Sequence, residues 1–382
     1  MNENHLQQIF ANYIERFEEL NGPEHEEYFK WEIVKNFRPL METVLSSTEQ
    51  DGFIANLKEV KKRTYNFIDN YTQPLGGLIS FANHEWKTVQ EMFRSLYEDD
   101  GGDLEIRQKK IEVFLEQSYK LREKYAPKSY LYKDDFHSVT GYLFLYDPDH
   151  NYIYKATHAQ AFADCVEFYD DFGSGDHVKL KNYYRMCDQL VKAIQENEAL
   201  KKTDKSRFEN GWGVDPDTLY PDKAKHILAF DIIYCCSTYN LFHGITFKKV
   251  STKERQLIQE RRNKAQELLE KLEIVQKQNE KLEQALQRVD GILKTGASVK
   301  HSVYGKGKIS SKSENAITVI FDTGKVLKLG NPECIAGGYI SLESDKEIAG
   351  MEEIRKVLKN KSLIEDGLSY AEEQFAPYSE YI

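Results

Sequence analysis

A sustained seven-residue repeat between Thr252 and Asp290 is the feature that most constrains how this chain folds. Core residues alternate at spacings of three and four over about four heptads, and no Pro or Gly interrupts them. The repeat predicts a long helix that pairs with a second copy as a coiled-coil homodimer. The predicted contact positions are Ile258, Ala265, Leu268, Leu272, Val275, Asn279, Leu282, Leu286 and Val289.

Two features of this repeat point in different directions. Asn279 stands at a core position, where a single Asn specifies register in parallel two-stranded coils. Arg261 also stands at a core position, and Leu269 and Ala285 add apolar surface beside the seam. These departures favour an alternative in which the long helix packs against its own chain. The sequence leaves both interpretations open.

Composition indicates a folded protein with more than one domain. The chain has 382 residues, of which 40% are hydrophobic and 12% aromatic, so it can bury a substantial core. An odd number of cysteines, five, without metal-ligand spacing favours a reducing compartment. The sequence has no apolar run of membrane-spanning length and no signal-peptide pattern, so we expect a cytoplasmic protein without membrane association.

Charge is distributed unevenly along the chain. The net charge is −10, yet residues 252–330 contain 16 Lys/Arg against 10 Asp/Glu. An acidic body with a basic distal region is typical of a protein whose nucleic-acid contacts, if it makes any, lie in that region. Ordinary solvated surfaces are the alternative explanation, and for the acidic body we prefer it.

Residues 1–248 predict a mostly helical domain with one short β element. Aromatic and β-branched residues at Phe136–Tyr146 predict a strand, the run from Asp147 to Asn151 predicts a turn, and Tyr152–Lys155 predicts a return strand or a short extended segment. Tyr152 and Tyr154 share one side of such a segment. They either line a pocket for a flipped base or pack in the core, and aromatic stripes usually pack.

A series of short aromatic signatures follows one another along this domain. They are EYFKW at 27–31, VQEMFRSLY at 89–97, DLEIR at 103–107, YLF and DPD within 142–149, YIYK at 152–155 and DIIY at 231–234. In this order they resemble the N-terminal region of McrB-type proteins, the NTP-dependent motor subunits of modification-dependent restriction systems. The resemblance implies a recognition or adaptor domain and a separate ATPase or nuclease subunit as a partner.

The chain departs from that family where its AAA-type GTPase would begin. A phosphate-binding loop needs a Gly-rich turn closed by Gly-Lys-Ser/Thr, and the nearest match, at 305–312, fails in spacing and context. The heptad region occupies the place of the motor. The resemblance therefore implies recognition without the GTPase domain.

Residues 294–342 predict a small all-β domain. Short runs of alternating residues, separated by a Gly-rich turn within 299–309 and by turns at 311–315 and 322–324, predict a curled sheet or barrel. The pattern His301-x-x-Tyr304-Gly305-x-Gly307, followed by VIFD at 319–322, resembles the Tudor-like barrel of UvrD- and PcrA-type helicases. The resemblance implies a docking module, for RNA polymerase or nucleic acid, without catalysis.

This small domain is basic, with seven Lys and two acidic residues between 294 and 330. We expect a face that contacts phosphates or a protein partner. Its candidate residues are Lys300, His301, Tyr304, Lys306, Lys308, Lys312, Lys325 and Lys328. In the alternative, the glycines serve only the turn, Tyr304 packs in the barrel and the lysines protect sheet edges.

The sequence thus predicts a mainly α fold with a small β element. Its domains are a helical domain at 1–248, a coiled coil at 252–290, a Tudor-like barrel at 294–342 and a helical tail at 343–382. No catalytic residue, cofactor or metal site is assigned. The function favoured is a dimeric, non-catalytic recognition or adaptor protein in bacterial antiviral defence or DNA/RNA transactions. Alternatives are a nuclease or nucleotide-processing enzyme with its site in 129–240, and a purely protein-binding scaffold.

Overall fold

The computed structural model describes residues 1–64, 67–68, 71–175, 177–209, 214–342 and 350–382. The chain divides into two units, Met1–Leu257 and Ile258–Ile382. The general expectation of a mainly helical protein with a small antiparallel sheet is confirmed. No helix among the described residues has the length and apolar character needed to cross a membrane.

Unit 1 is built from helices packed around one large hydrophobic core. Neighbouring helices in sequence pack against each other through the first half of the unit, and α8 packs against α11. The elements are α1 (Glu3–Glu15), α2 (Phe17–Asn21), α3 (Phe29–Leu45), α4 (Gln50–Thr64), α5 (Pro74–Tyr97), α6 (Leu104–Tyr125), α7 (Phe136–Tyr146), α8 (Ala156–Cys165), β1 (Gly173–Ser174), β2 (His177–Val178), α9 (Leu180–Glu196), α10 (Glu198–Glu209) and α11 (His226–Thr238).

The predicted strand at Phe136–Tyr146 is wrong, because this segment is the helix α7. Asp135 and Ser138 form a capping box: the Asp135 carboxylate accepts from Ser138 N at 2.9 Å, and Ser138 Oγ accepts from Asp135 N at 3.1 Å. Nearly every residue of α7 is buried. A helix that is apolar on all sides lacks the helical period by which it is usually recognised, so its composition resembles a strand.

The segment from Tyr152 to Lys155 is not part of any sheet. The Tyr152 amide donates to the Tyr184 hydroxyl at 3.2 Å, and the Tyr154 amide donates to Thr140 Oγ1 at 3.0 Å. Side chains therefore satisfy backbone groups that a partner strand would otherwise satisfy. The prediction of a return strand is therefore wrong. The alternative prediction, a short extended segment, describes these residues.

A cluster of buried charges lies inside unit 1. The Lys30 ammonium contacts the Asp231 carboxylate and lies 2.5 Å from Glu27 Oε2, and all three side chains are almost fully buried. Tyr13 donates a 2.6 Å hydrogen bond to Asp231. Burial alone would lower the pKa of Lys30, but Asp231, Cys235 and Glu27 raise it above its ordinary value. Lys30 is therefore charged and compensates the carboxylates.

Arg207 extends this buried network. Its guanidinium donates to the Tyr13 hydroxyl at 2.9 Å and contacts the Asn21 amide oxygen. It also lies 3.7 Å from the ring centroid of Trp31. Asp204, 3.4 Å from Arg207 Nε, binds the Lys225 ammonium at 2.8 Å. The network joins α1, α3, α10 and α11.

Replacing Lys30 with Met should lower the free energy of unfolding by roughly 3–5 kcal/mol, because it leaves two buried carboxylates without their cation. The matched control is Lys35→Met on the same helix, where the side chain is exposed and the expected change is within about 0.5 kcal/mol. Urea unfolding of both variants measures the difference. If Lys30→Met lowers the free energy of unfolding by less than about 1 kcal/mol, the ion pairs of Lys30 contribute little to stability.

A second buried carboxylate, Asp134, is held by three hydroxyls. Ser118 Oγ donates at 2.5 Å, Ser138 Oγ at 2.9 Å and the Tyr142 hydroxyl at 3.0 Å. Burial raises the pKa of Asp134 from 3.8 to about 6, although these three donors favour the ionised form. The folded protein therefore holds a proton on Asp134 at pH values where the unfolded chain has released it.

Because the pKa is raised on folding, Asp134 stabilises the protein below about pH 4 and loses this contribution as the pH rises through about 6. The difference in unfolding free energy between the parent and Asp134→Asn should change by roughly 3 kcal/mol across that window, in the direction that disfavours the parent at high pH. Denaturant titrations at several pH values measure it. Parallel pH profiles for the two proteins would show that Asp134 titrates normally.

Unit 2 holds most of the long helix, the sheet and the C-terminal helices. The elements are α12 (Thr252–Ile292), which crosses the boundary between the units, β3 (Ser298–His301), β4 (Gly305–Lys312), β5 (Ala316–Phe321), β6 (Val326–Gly330), α13 (Glu333–Ala336), β7 (Ile340–Leu342), α14 (Met351–Lys359), α15 (Lys361–Phe375) and a 3-10 helix, Ala376–Tyr381. The five strands form an antiparallel sheet in the order β6-β5-β4-β3-β7.

The inner side of this sheet packs on α12, α13 and α14. Val299, Ile309 and Val319 share one hydrophobic core with Leu282 and Val289 near the end of α12. Cys334 and Ile335 of α13 and Met351, Ile354 and Leu358 of α14 belong to the same core. One side of the sheet is therefore covered, and the alternation of strand side chains places the residues between them on the opposite side.

Candidate nucleic-acid interface

The outer side of the sheet carries four of the predicted lysines, which we call the lysine face: Lys300, Lys306, Lys308 and Lys328. All four are exposed, whereas their strand neighbours Val299, Gly307 and Ile309 are buried. Lys300 lies directly opposite Lys306 in the pairing of β3 with β4. Opposed residues of antiparallel strands have Cα atoms about 5 Å apart, so the sheet holds these two charges close together.

The strands supply only positive charge to this face. None of the residues of β3, β4, β5, β6 or β7 is acidic. Like charges directly opposite each other destabilise a sheet pair by up to about 1 kcal/mol. The positive charges lie together on one side of the sheet, so the arrangement is suited to a polyanionic ligand.

Two exposed apolar residues lie on the same side of the sheet. Ile320 is paired with Val326, and these residues are 48% and 53% exposed. Ile320 is also paired with Lys308, and Thr318 with Lys328. The apolar pair thus lies among the lysines and offers a surface against which the non-polar parts of a ligand can pack.

Three of the predicted contact residues are placed elsewhere. His301 is buried, and its ring centroid lies 5.1 Å from that of Tyr304 and 5.7 Å from that of Phe321. Tyr304 is half-buried against the core. Lys312 contacts Asp290 at the end of α12, with Nζ 2.5 Å from Oδ1 and 2.8 Å from the carbonyl oxygen. For Tyr304, the structure agrees with the alternative of packing inside the domain.

Lys325 lies in the tight turn between β5 and β6 and is exposed. The Gly324 amide donates to the Phe321 carbonyl at 2.8 Å, and Gly324 has a φ of +82°, a conformation that favours glycine. The Asp322 amide donates to the Lys306 carbonyl at 2.9 Å, which places this turn beside Lys306. Lys325 is therefore next to the lysine face, though not part of a strand.

The predicted pocket residues of unit 1 are buried. Tyr152 and Tyr154 are 3% and 5% exposed, and their ring centroids lie 5.0 Å from those of Tyr184 and Tyr183, respectively, in edge-to-face geometry. The Tyr152 hydroxyl donates to Asp188 at 2.8 Å. Both tyrosines pack in the core, which is the second of the two roles considered for them.

The predicted dimer seam already has partners within its own chain. Of its nine positions, Ala265, Leu272, Leu282 and Val289 are buried and the other five are half-buried. A Cβ placed on Gly367 of α15 would lie 3.8 Å from Val275 Cγ1, and Arg261 contacts the Tyr381 hydroxyl. These two contacts run in opposite order along the chain, so the C-terminal helix is antiparallel to α12 and lies along the heptad stripe.

One buried cluster in unit 1 has the donor types of a metal site. Ligand atoms of Glu27, Asp231 and Cys235 lie within 4.8 Å of one another. The Lys30 ammonium contacts both carboxylates. It supplies the positive charge that a cation would bring, and these residues do not suit a metal while Lys30 is present.

Some features of the interface have no counterpart in the predicted set. The sequence does not single out Ile320 and Val326 as candidate residues. Strict alternation through β5 nevertheless places Ile320 on one side of the strand and the buried Val319 and Phe321 on the other. The opposition of Lys300 and Lys306 depends on strand register, which a single sequence does not reveal. Tyr339, 58% exposed before β7, carries no sequence signal of its own.

No protein-family model, curated protein or solved structure matches this chain.

Proposed function

We propose that this chain is a recognition or adaptor protein that docks nucleic acid through the lysine face. The observation that carries the proposal is the convergence of Lys300, Lys306, Lys308 and Lys328 on one exposed side of a sheet whose strands contain no acidic residue. Lysines that neutralise phosphates release condensed counterions, so binding of this kind is strong at low salt and independent of sequence.

The resemblances favour the same assignment. A Tudor-like domain would be a docking module, and a McrB-like helical domain would recognise a ligand or partner on behalf of a separate ATPase or nuclease subunit. On these resemblances we propose a role in bacterial antiviral defence or DNA/RNA transactions. There are two alternatives. Binding experiments would reveal a partner protein at the lysine face, and cleavage experiments would reveal a nuclease site in residues 129–240.

The triple variant Lys300→Gln, Lys308→Gln, Lys328→Gln should weaken binding of a labelled oligonucleotide of about 20 nucleotides. It should also reduce the slope of log Kd against log salt by about 2–3, close to one for each phosphate that is no longer neutralised. Fluorescence anisotropy at several salt concentrations measures both quantities.

The matched control is Lys277→Gln, Lys281→Gln, Lys359→Gln, which removes the same charge from exposed positions on α12 and α14. It should leave the salt slope of binding nearly unchanged. Equal reductions in affinity for the two triple variants would show that only net charge matters. Absence of binding by the parent protein at low salt would overturn the proposal, and metal-dependent cleavage of the oligonucleotide would favour the enzyme instead.

We also propose that two copies associate through α12, with the side of the heptad stripe that the C-terminal helix leaves half-exposed as the contact. Of the five half-buried positions, Val275 lies beside Gly367 of α15, which leaves Ile258, Leu268, Asn279 and Leu286 as the proposed contacts. Within one chain Asn279 donates to Glu283 Oε1 at 3.0 Å, so its amide has a local partner when the seam is open.

Asn279→Val should raise the melting temperature and broaden the distribution of oligomers, because a core Asn specifies register at a cost in stability. Sedimentation velocity over a wide concentration range measures the oligomeric state, and thermal melting measures stability. If the parent protein stays monomeric at the highest concentration, then α12 packs only against its own chain.

A further inference from the structure

The proposed lysine face ends at an exposed tyrosine that the charge argument does not use. Tyr339 directly precedes β7, where Ser341 is paired with Lys300 and Ile340 with His301. Tyr339 is 58% exposed, while the next residue, Ile340, is fully buried. Tyr339 therefore lies at the edge of the sheet beside the strand that carries Lys300.

The ring of Tyr339 is held in place from beneath. A Cβ built on Gly337 would lie 2.7 Å from Cδ2 of Tyr339 and closer still to Cε2. The ring therefore rests on the Gly337 backbone, and any side chain at position 337 would collide with it. Gly337 itself has an ordinary helical φ of −75°. Its lack of a side chain serves the close approach of the ring and not an unusual backbone conformation.

An aromatic ring with one side against the backbone and much of its surface in solvent is a ready stacking platform. Proteins that bind single strands combine a basic surface along the backbone with aromatic rings on which bases stack. A duplex keeps its bases stacked on one another, so it can use the lysines but not the ring. The exposed Ile320 and Val326 add apolar surface for further unpaired bases.

We infer that the lysine face is selective for single-stranded nucleic acid and that a base stacks on Tyr339. This inference rests on the proposed function and specifies its ligand. Lys300 and Lys306 contact phosphates of the same strand, while the ring contacts a base of any identity. Recognition is therefore directed at unpaired strands and is tolerant of sequence.

Tyr339→Ala should weaken binding of oligothymidylate of about 20 nucleotides by roughly tenfold or more, the range expected when one base no longer stacks. Tyr339→Phe should bind like the parent, because it keeps the ring. Gly337→Ala should weaken binding while Tyr339 is still present, since the new methyl group displaces the ring. Melting temperatures of all three variants check that the fold is retained.

Two further ligands separate stacking from charge. An abasic strand of the same length keeps the phosphates but has no bases, and a duplex keeps its bases paired. Tyr339→Ala should leave the affinity for both ligands unchanged, whereas the triple Lys→Gln variant should weaken binding of all three ligands. An equal reduction for oligothymidylate and the abasic strand, or no reduction for either, would overturn the inference while leaving the proposed function intact.

Absence of binding by the parent protein to every strand would instead remove the proposed function, and this inference with it. Binding of a duplex as tightly as the single strand would overturn the selectivity alone. The outcomes thus distinguish a failure of the stacking platform from a failure of the lysine face.

Discussion

The covered side of the small sheet is the constraint on which the arrangement of unit 2 depends. Val299, Ile309 and Val319 must face the end of α12 and α14, because these helices provide the apolar surface that shields them from water. Strand geometry then leaves no choice for the residues in between, which face solvent. The lysines lie on one side because they alternate with the buried residues along the strands.

The parts of this architecture that a sequence reveals are those with a strong period. The heptads of α12 and the two-residue alternation of β5 each mark one covered side and one free side, and the structure has a long helix and a strand there. The pattern of α7 is misleading, because burial on all sides removes the contrast between polar and apolar positions. Tyr152 and Tyr154 alternate for a different reason, since side-chain hydroxyls and not a neighbouring strand hold that segment.

The candidate site was predictable in composition but not in geometry. The excess of lysine between 294 and 330 is visible in the sequence, yet Lys312 contacts Asp290, and Tyr304 packs inward. Which lysines share a side depends on register and on the bulge between Ile309 and Ser311, which shifts the alternation of β4. The buried network around Lys30 also had no sequence signal, because its members come from helices far apart in the chain.

The opposition of Lys300 and Lys306 has a consequence for how the sheet assembles. If β4 slipped by one residue along β3, the side chains of its lysines would turn towards the apolar core, where an unpaired ammonium is very costly. The same residues that crowd positive charge on the outer surface thus penalise every pairing shifted by an odd number of residues. The lysines therefore disfavour strand pairings of the wrong register during folding, whether or not an anion binds to the surface that they form.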